Sequence, residues 1–240
     1  MEDGKACAEE QGSPSEAREG CGGNGAAFDD GSYDRAVAGL RRLLGGAPLH
    51  REIYLRLLNF CKERRLLSEA EAVVGRAPGF STLAQSPYRL IRDLVDEGGL
   101  DWIDLDADGL DVTPERTAGL SADQIDDLVA DFALETTAAG ADAAEAMSPE
   151  RRLDALLQKT PEREQAFTDV LAFCEEPRTF GAVQEFLEKA GVLGPLRAAN
   201  GRPLQASFFV DMLERAGGLE WDGAWRVTEA GRALLDRLAA

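Results

Sequence analysis

A five-residue stretch that occurs twice limits the folds open to this chain more than any other feature. Residues 98–102 read Gly-Gly-Leu-Asp-Trp, and residues 217–221 read Gly-Gly-Leu-Glu-Trp. Further pairs also match, with insertions only at loop positions: Leu40 and Leu153, Leu43 and Leu156, Leu44 and Leu157, Pro48 and Pro161, Leu58 and Leu171, Phe60 and Phe173, Cys61 and Cys174, and Val112-Thr113 and Val227-Thr228. This pattern predicts a tandem duplication with a period of about 115 residues, long enough for each copy to bury its own core.

The end of the second copy indicates what each unit contains. An apolar helical pattern stops at Gly217-Gly218, Asp222-Gly223 is typical of a hairpin turn, and a new helical pattern starts after Thr228. The run Trp-Arg-Val-Thr-Glu-Ala-Gly-Arg-Ala-Leu-Leu at residues 225–235 resembles the wing strand and exit helix of winged helix-turn-helix proteins. The resemblance implies a mainly α fold with small β-hairpins, arranged as two tandem winged-helix domains.

Composition and helical spacing divide the chain into four segments. Residues 1–28 have no periodic pattern and are predicted to be a disordered acidic tail. Residues 29–120 and 149–240 are predicted to be winged-helix domains 1 and 2. Residues 121–148 contain seven acids and no base, and are predicted to form an acidic amphipathic helix followed by a linker. The apolar positions that indicate this helix are Ile125, Leu128, Val129, Phe132 and Leu134.

Apolar spacing and capping residues predict the other helices. In the first copy they begin near Ser32 and cover residues 50–64, 67–74 and 87–97; in the second copy they begin at Pro149 and cover residues 162–176, 180–190 and 205–215. The helices at 87–97 and 205–215 hold the position that recognises DNA in many proteins of the family that the chain resembles.

The segment after Trp102 fits two different structures. It matches the EF-hand loop pattern D-x-D-x-D-G-x5-E, which would place calcium ligands at Asp104, Asp106, Asp108 and Glu115. The preceding helical pattern is broken at Gly98-Gly99, however, and the repeat makes this segment the counterpart of the second hairpin. We therefore favour an acidic wing strand whose aspartates face water, with a turn at Asp108-Gly109. Calcium binding stays open as the alternative, and no other metal site and no cofactor is predicted.

Charge and motif content favour some functions over others. The formal net charge is −18, and much of the acidic excess lies in the tail and in residues 121–148. The chain has one histidine, and it lacks a G-x-S-x-G motif and a phosphate-binding loop, so we expect no enzyme activity. Cys61 and Cys174 are predicted core residues, whereas Cys7 and Cys21 lie in the tail. With no apolar run near the roughly 20 residues that span a bilayer, we expect a cytoplasmic protein without membrane contact.

Two partner classes remain. Basic and polar residues cluster in the second copy, where a winged-helix domain would meet DNA: Arg197, Asn200, Arg202, Gln205, Ser207 and Arg226. The acidic wing of the first copy would repel phosphates, and tandem winged-helix proteins with acidic surfaces bind partner proteins. The sequence therefore favours a protein-interaction scaffold, with a DNA-binding regulator acting through residues 149–240 as the alternative.

Overall fold

The computed structural model describes residues 30–193 and 204–239. It is mainly helical, with small antiparallel sheets. We call residues 30–147 the first half and residues 148–239 the second half. The first half contains α1 (Asp30–Leu44), α2 (Pro48–Phe60), β1 (Arg65–Leu66), α3 (Leu67–Gly75), α4 (Pro87–Asp96), β2 (Leu100–Leu105), α5 (Pro114–Thr117), α6 (Ala122–Leu128), β3 (Asp131–Thr136) and α7 (Ala138–Ala146).

The second half repeats much of this order with a shorter hairpin. It contains α8 (Pro149–Lys159), α9 (Glu164–Phe173), α10 (Phe180–Lys189), α11 (Ala206–Ala216), β4 (Leu219–Trp221), β5 (Trp225–Val227) and α12 (Glu229–Ala239). Within the described residues, no helix combines the length and apolar character needed to cross a bilayer.

Local signals explain where several helices begin and end. The hydroxyl groups of Ser86, Ser148 and Thr179 each accept the backbone N–H three residues ahead, and so cap α4, α8 and α10. Gly217 adopts the left-handed conformation (φ 81°) that ends α11. These boundaries agree with the predicted helices to within a few residues.

The first hairpin differs from the prediction. Residues 131–136 are a strand, not part of an amphipathic helix, and β3 lies between β1 and β2 in an antiparallel sheet. In this register Trp102 lies opposite Leu134. The predicted turn at Gly109 exists, but the segment after it contributes only a bridge between Leu105 and Asp111. The helix prediction holds for α6 (Ala122–Leu128) and was wrong beyond it. Apolar residues of α6 and β3 together mimic a helical spacing, while the pairing that selects the strand is distant in sequence.

The true counterpart of Thr228 is Thr137, not Thr113. Thr137 Oγ1 donates to Gly98 O (2.7 Å) and Thr228 Oγ1 donates to Gly217 O (2.6 Å). Both hydroxyl groups also accept the N–H of the glycine three residues later, Gly140 at 2.9 Å and Gly231 at 3.1 Å. The two halves therefore share one arrangement, in which the threonine after the hairpin bonds to the glycine before it and to the glycine three residues later; we call this the hairpin root. The Val112-Thr113 match of the repeat was a misalignment.

Each half has its own hydrophobic core. The first core includes Leu40, Leu58 and Leu94, and it extends to Ala139 and Ala143 of α7. The second core includes the equivalent leucines Leu153, Leu171 and Leu213. The predicted linker at 121–148 is thus corrected, because its strand and its last helix are integral to the first half. Cys61 and Cys174 are buried in their cores, as predicted.

Candidate functional site

A groove of about 1000 Å³ lies between the two halves, and we call it the inter-half groove. Its first wall comes from α2, α7 and the segment after α3, and its second wall from the start of α8, the end of α11, β4 and α12. Charged and apolar side chains in its lining include Leu49, Glu52, Arg56, Lys62, Asp142, Glu145, Glu150, Glu214, Leu219, Glu220, Trp221 and Glu229. The site therefore exists only because both halves are present.

Two arginines hold the halves together beside this groove. Arg51 Nη1 and Arg152 Nη1 both donate to the backbone carbonyl of Arg215, each at 2.8 Å. That carbonyl lies in the last turn of α11, where the helix dipole carries partial negative charge. Arg152 Nη2 also lies 2.7 Å from Glu52 Oε1, and Arg152 Nε donates to Met147 O (2.9 Å). Burial and the neighbouring Arg152 lower the pKa of Arg51.

Sequence reasoning missed this arginine contact. The sequence contained one sign of it, because Leu55 is an apolar residue of α2 outside the predicted core face and four residues after Arg51. Both residues are buried in the structure. They form a second covered strip on the helix. Arg152 gave no such signal, since its contacts come from residues that are distant in the chain.

The lining of the groove is strongly acidic. Seven of its side chains are acids and two are bases, so a cation is favoured there and an anion is repelled. The acids are Glu52, Asp142, Glu145, Glu150, Glu214, Glu220 and Glu229, and the bases are Arg56 and Lys62.

Two of these acids are half-buried. Burial, with a smaller contribution from Asp211, raises the pKa of Glu214. Burial also raises the pKa of Glu220, while the nearby Arg56 opposes the shift. A carboxyl group with a raised folded-state pKa destabilises the fold once pH exceeds its unfolded value, and the penalty disappears at lower pH. At neutral pH the charged forms of Glu214 and Glu220 therefore lower the stability of the fold.

An aromatic side chain borders the same groove. The side chain of Trp221 is 42% exposed, and its ring packs edge-on against Trp225 with 5.2 Å between centroids. Its equivalent in the first half, Trp102, is more covered, because it packs against Tyr88 and Phe132. Each tryptophan is the third residue of the first hairpin strand in its half, but the two have different surroundings.

The structure describes three of the six residues predicted to contact DNA. Gln205 is exposed immediately before α11, and Ser207 is partly buried in its first turn. Arg226 is exposed on β5, where its register partner is Glu220. Arg197, Asn200 and Arg202 lie outside the described residues.

The arginines of α4, the other helix that the sequence predicts to hold the recognition position, already have acidic partners. Arg89 lies 3.0 Å from Asp93, and Arg92 lies 3.0 Å from Asp96. Arg92 also stacks over Trp102, 5.2 Å from the ring centroid. Phosphates would have to compete with these acids for the arginines.

Two of the predicted calcium ligands, Asp104 and Asp106, have other partners. Asp104 accepts the indole N–H of Trp102 (3.1 Å). Asp106 is only 8% exposed and not on a wet strand face: its Oδ1 accepts the backbone N–H groups of Asp108 and Leu110, both at 2.9 Å, and its Oδ2 pairs with Arg116. Glu115 is exposed in α5. In the described part of the chain, no group of three or more His, Cys, Asp or Glu side chains could hold a metal ion.

The chain matches no protein-family model, no curated protein and no solved structure.

Proposed function

We propose that the chain is a tandem winged-helix protein that serves as a non-enzymatic scaffold for binding another protein. The helix order of each half, the antiparallel hairpin and the helix after it support the winged-helix assignment. The observation that carries the function is the inter-half groove, which is acidic, wide and bordered by the exposed ring of Trp221. Exposed aromatic side chains in concave surfaces are typical anchors for protein partners.

DNA binding through residues 149–240 is the alternative. Its support is the predicted basic cluster, half of which lies outside the described residues. The pairing of Arg89 and Arg92 with acids of the same helix disfavours DNA at α4. At the second hairpin, Glu220 lies across from Arg226 and reduces the local positive potential.

Fluorescence anisotropy with a labelled mixed-sequence duplex gives the first test. Non-specific binding to DNA is strongest at low salt, so we expect no binding at micromolar protein in about 50 mM salt. Saturable binding that weakens steeply with added salt would favour the DNA alternative.

Photo-crosslinking in the cell of origin gives the second test. A benzophenone amino acid replaces Trp221 in the groove, Gln205 at the predicted DNA surface, or Glu162 as an exposed control. We expect one protein adduct at position 221, sensitive to protease and absent at 162. Nuclease-sensitive adducts at 205, or no position-dependent protein adduct, would contradict the scaffold.

A further inference from the structure

We propose that the inter-half groove binds an extended lysine- and arginine-rich segment of the partner protein. This inference rests on the scaffold function and names the chemistry of the occupant. The groove volume of about 1000 Å³ lies at the upper end of the range for small-molecule pockets, roughly 300 to 1000 Å³. The lining extends from α2 and α7 of the first half to β4 and α12 of the second half, so an extended peptide could contact both walls at once.

Charge complementarity identifies the occupant. Of the lining acids, Glu52 and Glu145 pair with arginines of the chain. Among residues 30–193 and 204–239, no lysine or arginine lies within ion-pair distance of Glu150, Glu214, Glu220 or Glu229. These four acids come from α8, α11, β4 and α12, so positive charges spaced along one segment could each meet a carboxylate.

The half-buried acids strengthen this preference. Glu214 and Glu220 lose part of their hydration in the free protein, which is why the pKa of each is raised. A bound ammonium or guanidinium group would stabilise their charged forms. Binding of a cation beside Glu214 or Glu220 would therefore offset the free-energy cost that each carboxylate bears from its lost hydration.

Trp221 adds a second type of contact. Its exposed ring can stack with an arginine or cover the methylene groups of a lysine. Leu49 and Leu219 supply apolar lining near it. A segment that combines positive charge with long aliphatic stems satisfies both features.

Other occupants fit less well. Residues 1–28 of this chain contain six acids and two bases, so their charge has the wrong sign for the groove. A nucleic acid would bring phosphates towards an excess of carboxylates, which repel them. The binding assay includes each as a competitor.

The test measures binding of a fluorescein-labelled peptide of alternating lysine and alanine, twelve residues long, in about 100 mM salt. A chain with a net charge of −18 attracts any polycation, so matched variants are essential. Glu150→Gln with Glu229→Gln removes two exposed charges from first turns of helices at the groove. Glu115→Gln with Glu162→Gln removes two exposed charges from first turns elsewhere.

We expect the double variant Glu150→Gln/Glu229→Gln, the groove pair, to weaken peptide binding about five-fold relative to Glu115→Gln/Glu162→Gln, the control pair, because each charge contributes modestly.

Trp221→Ala should weaken peptide binding about five-fold, while Tyr88→Ala, which removes another exposed aromatic side chain, should leave it unchanged. A synthetic peptide of residues 1–28 and a DNA duplex should not compete. Circular dichroism and thermal melting verify that each variant is folded.

Equal affinity of the groove and control pairs would overturn the inference, because it would mean attraction to net charge alone. Failure of the wild-type chain to bind the peptide would overturn it as well. The scaffold proposal would still stand in either case if position 221 crosslinks to a protein, so the two failures are distinguishable.

Discussion

Gly140 and Gly231 are the residues where each half is least able to accept a side chain. A Cβ atom at Gly231 would lie 2.6 Å from Gly218 O and 2.7 Å from Val227 Cγ2. A Cβ atom at Gly140 would overlap the carbonyl group of Gly99 in the same way. These contacts bring the helix after each hairpin close to the glycine pair before it, so the absence of a side chain is a packing requirement.

We expect Gly140→Ala and Gly231→Ala each to lower the free energy of unfolding by about 1–3 kcal/mol, because backbone atoms must move to admit the methyl group. Gly181→Ala is the control, since a Cβ atom at this helical glycine would have no neighbour within 4 Å. It should be neutral or stabilising by up to about 1 kcal/mol. Urea unfolding measures all three, and a stable Gly140→Ala variant would contradict the close packing.

At the scale of elements, the sequence predicted helices better than it predicted strand pairing. Helices such as α4 and α8 have local signals in Ser86 and Ser148, which lie next to the first turn they cap. The strand β3 has no comparable signal, because residues 106–130 separate it from β2. The motif Thr-x-x-Gly, at Thr137 and Thr228, could have revealed the correct repeat, but the long insertion concealed it.

The candidate site was predictable only in part. The second hairpin, which contains Trp221 of the groove, was expected from the turn at Asp222-Gly223. The groove was not, because it forms where α2 and α7 face β4 and α12 across the two halves. Leu55 of α2 indicates a second contact face on that helix, but neither α2 nor β4 identifies the element that lies across from it.

The inserted segment at 106–130 depends on one carboxylate. The Arg116 side chain and the backbone N–H of Leu110 lower the pKa of Asp106 by hydrogen bonding to it. The Asp106 carboxylate therefore stabilises the fold fully at pH values above its pKa in the unfolded chain, near 3.8. This stabilisation is lost as pH falls through its lower pKa in the folded chain. We expect Asp106→Asn to speed amide hydrogen exchange in residues 107–130 at pH 7, with a smaller effect near pH 3, where the carboxyl group of the unfolded chain is largely protonated.

Asp108→Asn is the matched control, because Asp108 is exposed in the same turn. It should leave exchange unchanged at both pH values. Millimolar calcium should not slow exchange in the wild-type chain, since Asp106 already pairs with Arg116. Protection by calcium that Asp106→Asn abolishes would instead support the EF-hand interpretation.

For the whole molecule, Arg152 connects the two halves through Glu52 and Met147, and it also donates to Arg215 O within the second half. Its side chain is 11% exposed, and Arg152→Met would leave Glu52 without its partner and remove donors to Arg215 O and Met147 O. We expect a loss of about 2 kcal/mol in unfolding free energy. Hydrogen exchange should also increase at the end of α11 and the start of α8.

Arg151→Met provides the comparison. Arg151 pairs with Glu145, and both side chains are more than half exposed, so the expected loss is below about 1 kcal/mol. Urea unfolding of the two variants measures the difference. Equal effects would mean that Arg152 adds nothing beyond an ordinary surface ion pair.

The hairpin roots have an evolutionary consequence. Residues 106–130 separate β2 from β3, whereas residues 222–224 separate β4 from β5, yet Thr137 and Thr228 make the same contacts below both tips. The segment that joins the two strands of a hairpin can therefore lengthen or shorten without disturbing the packing at the hairpin root. The duplication that the sequence predicts would then have left one copy free to elaborate its outer loop while the other stayed compact, and the two could diverge in what they recognise without either losing its architecture.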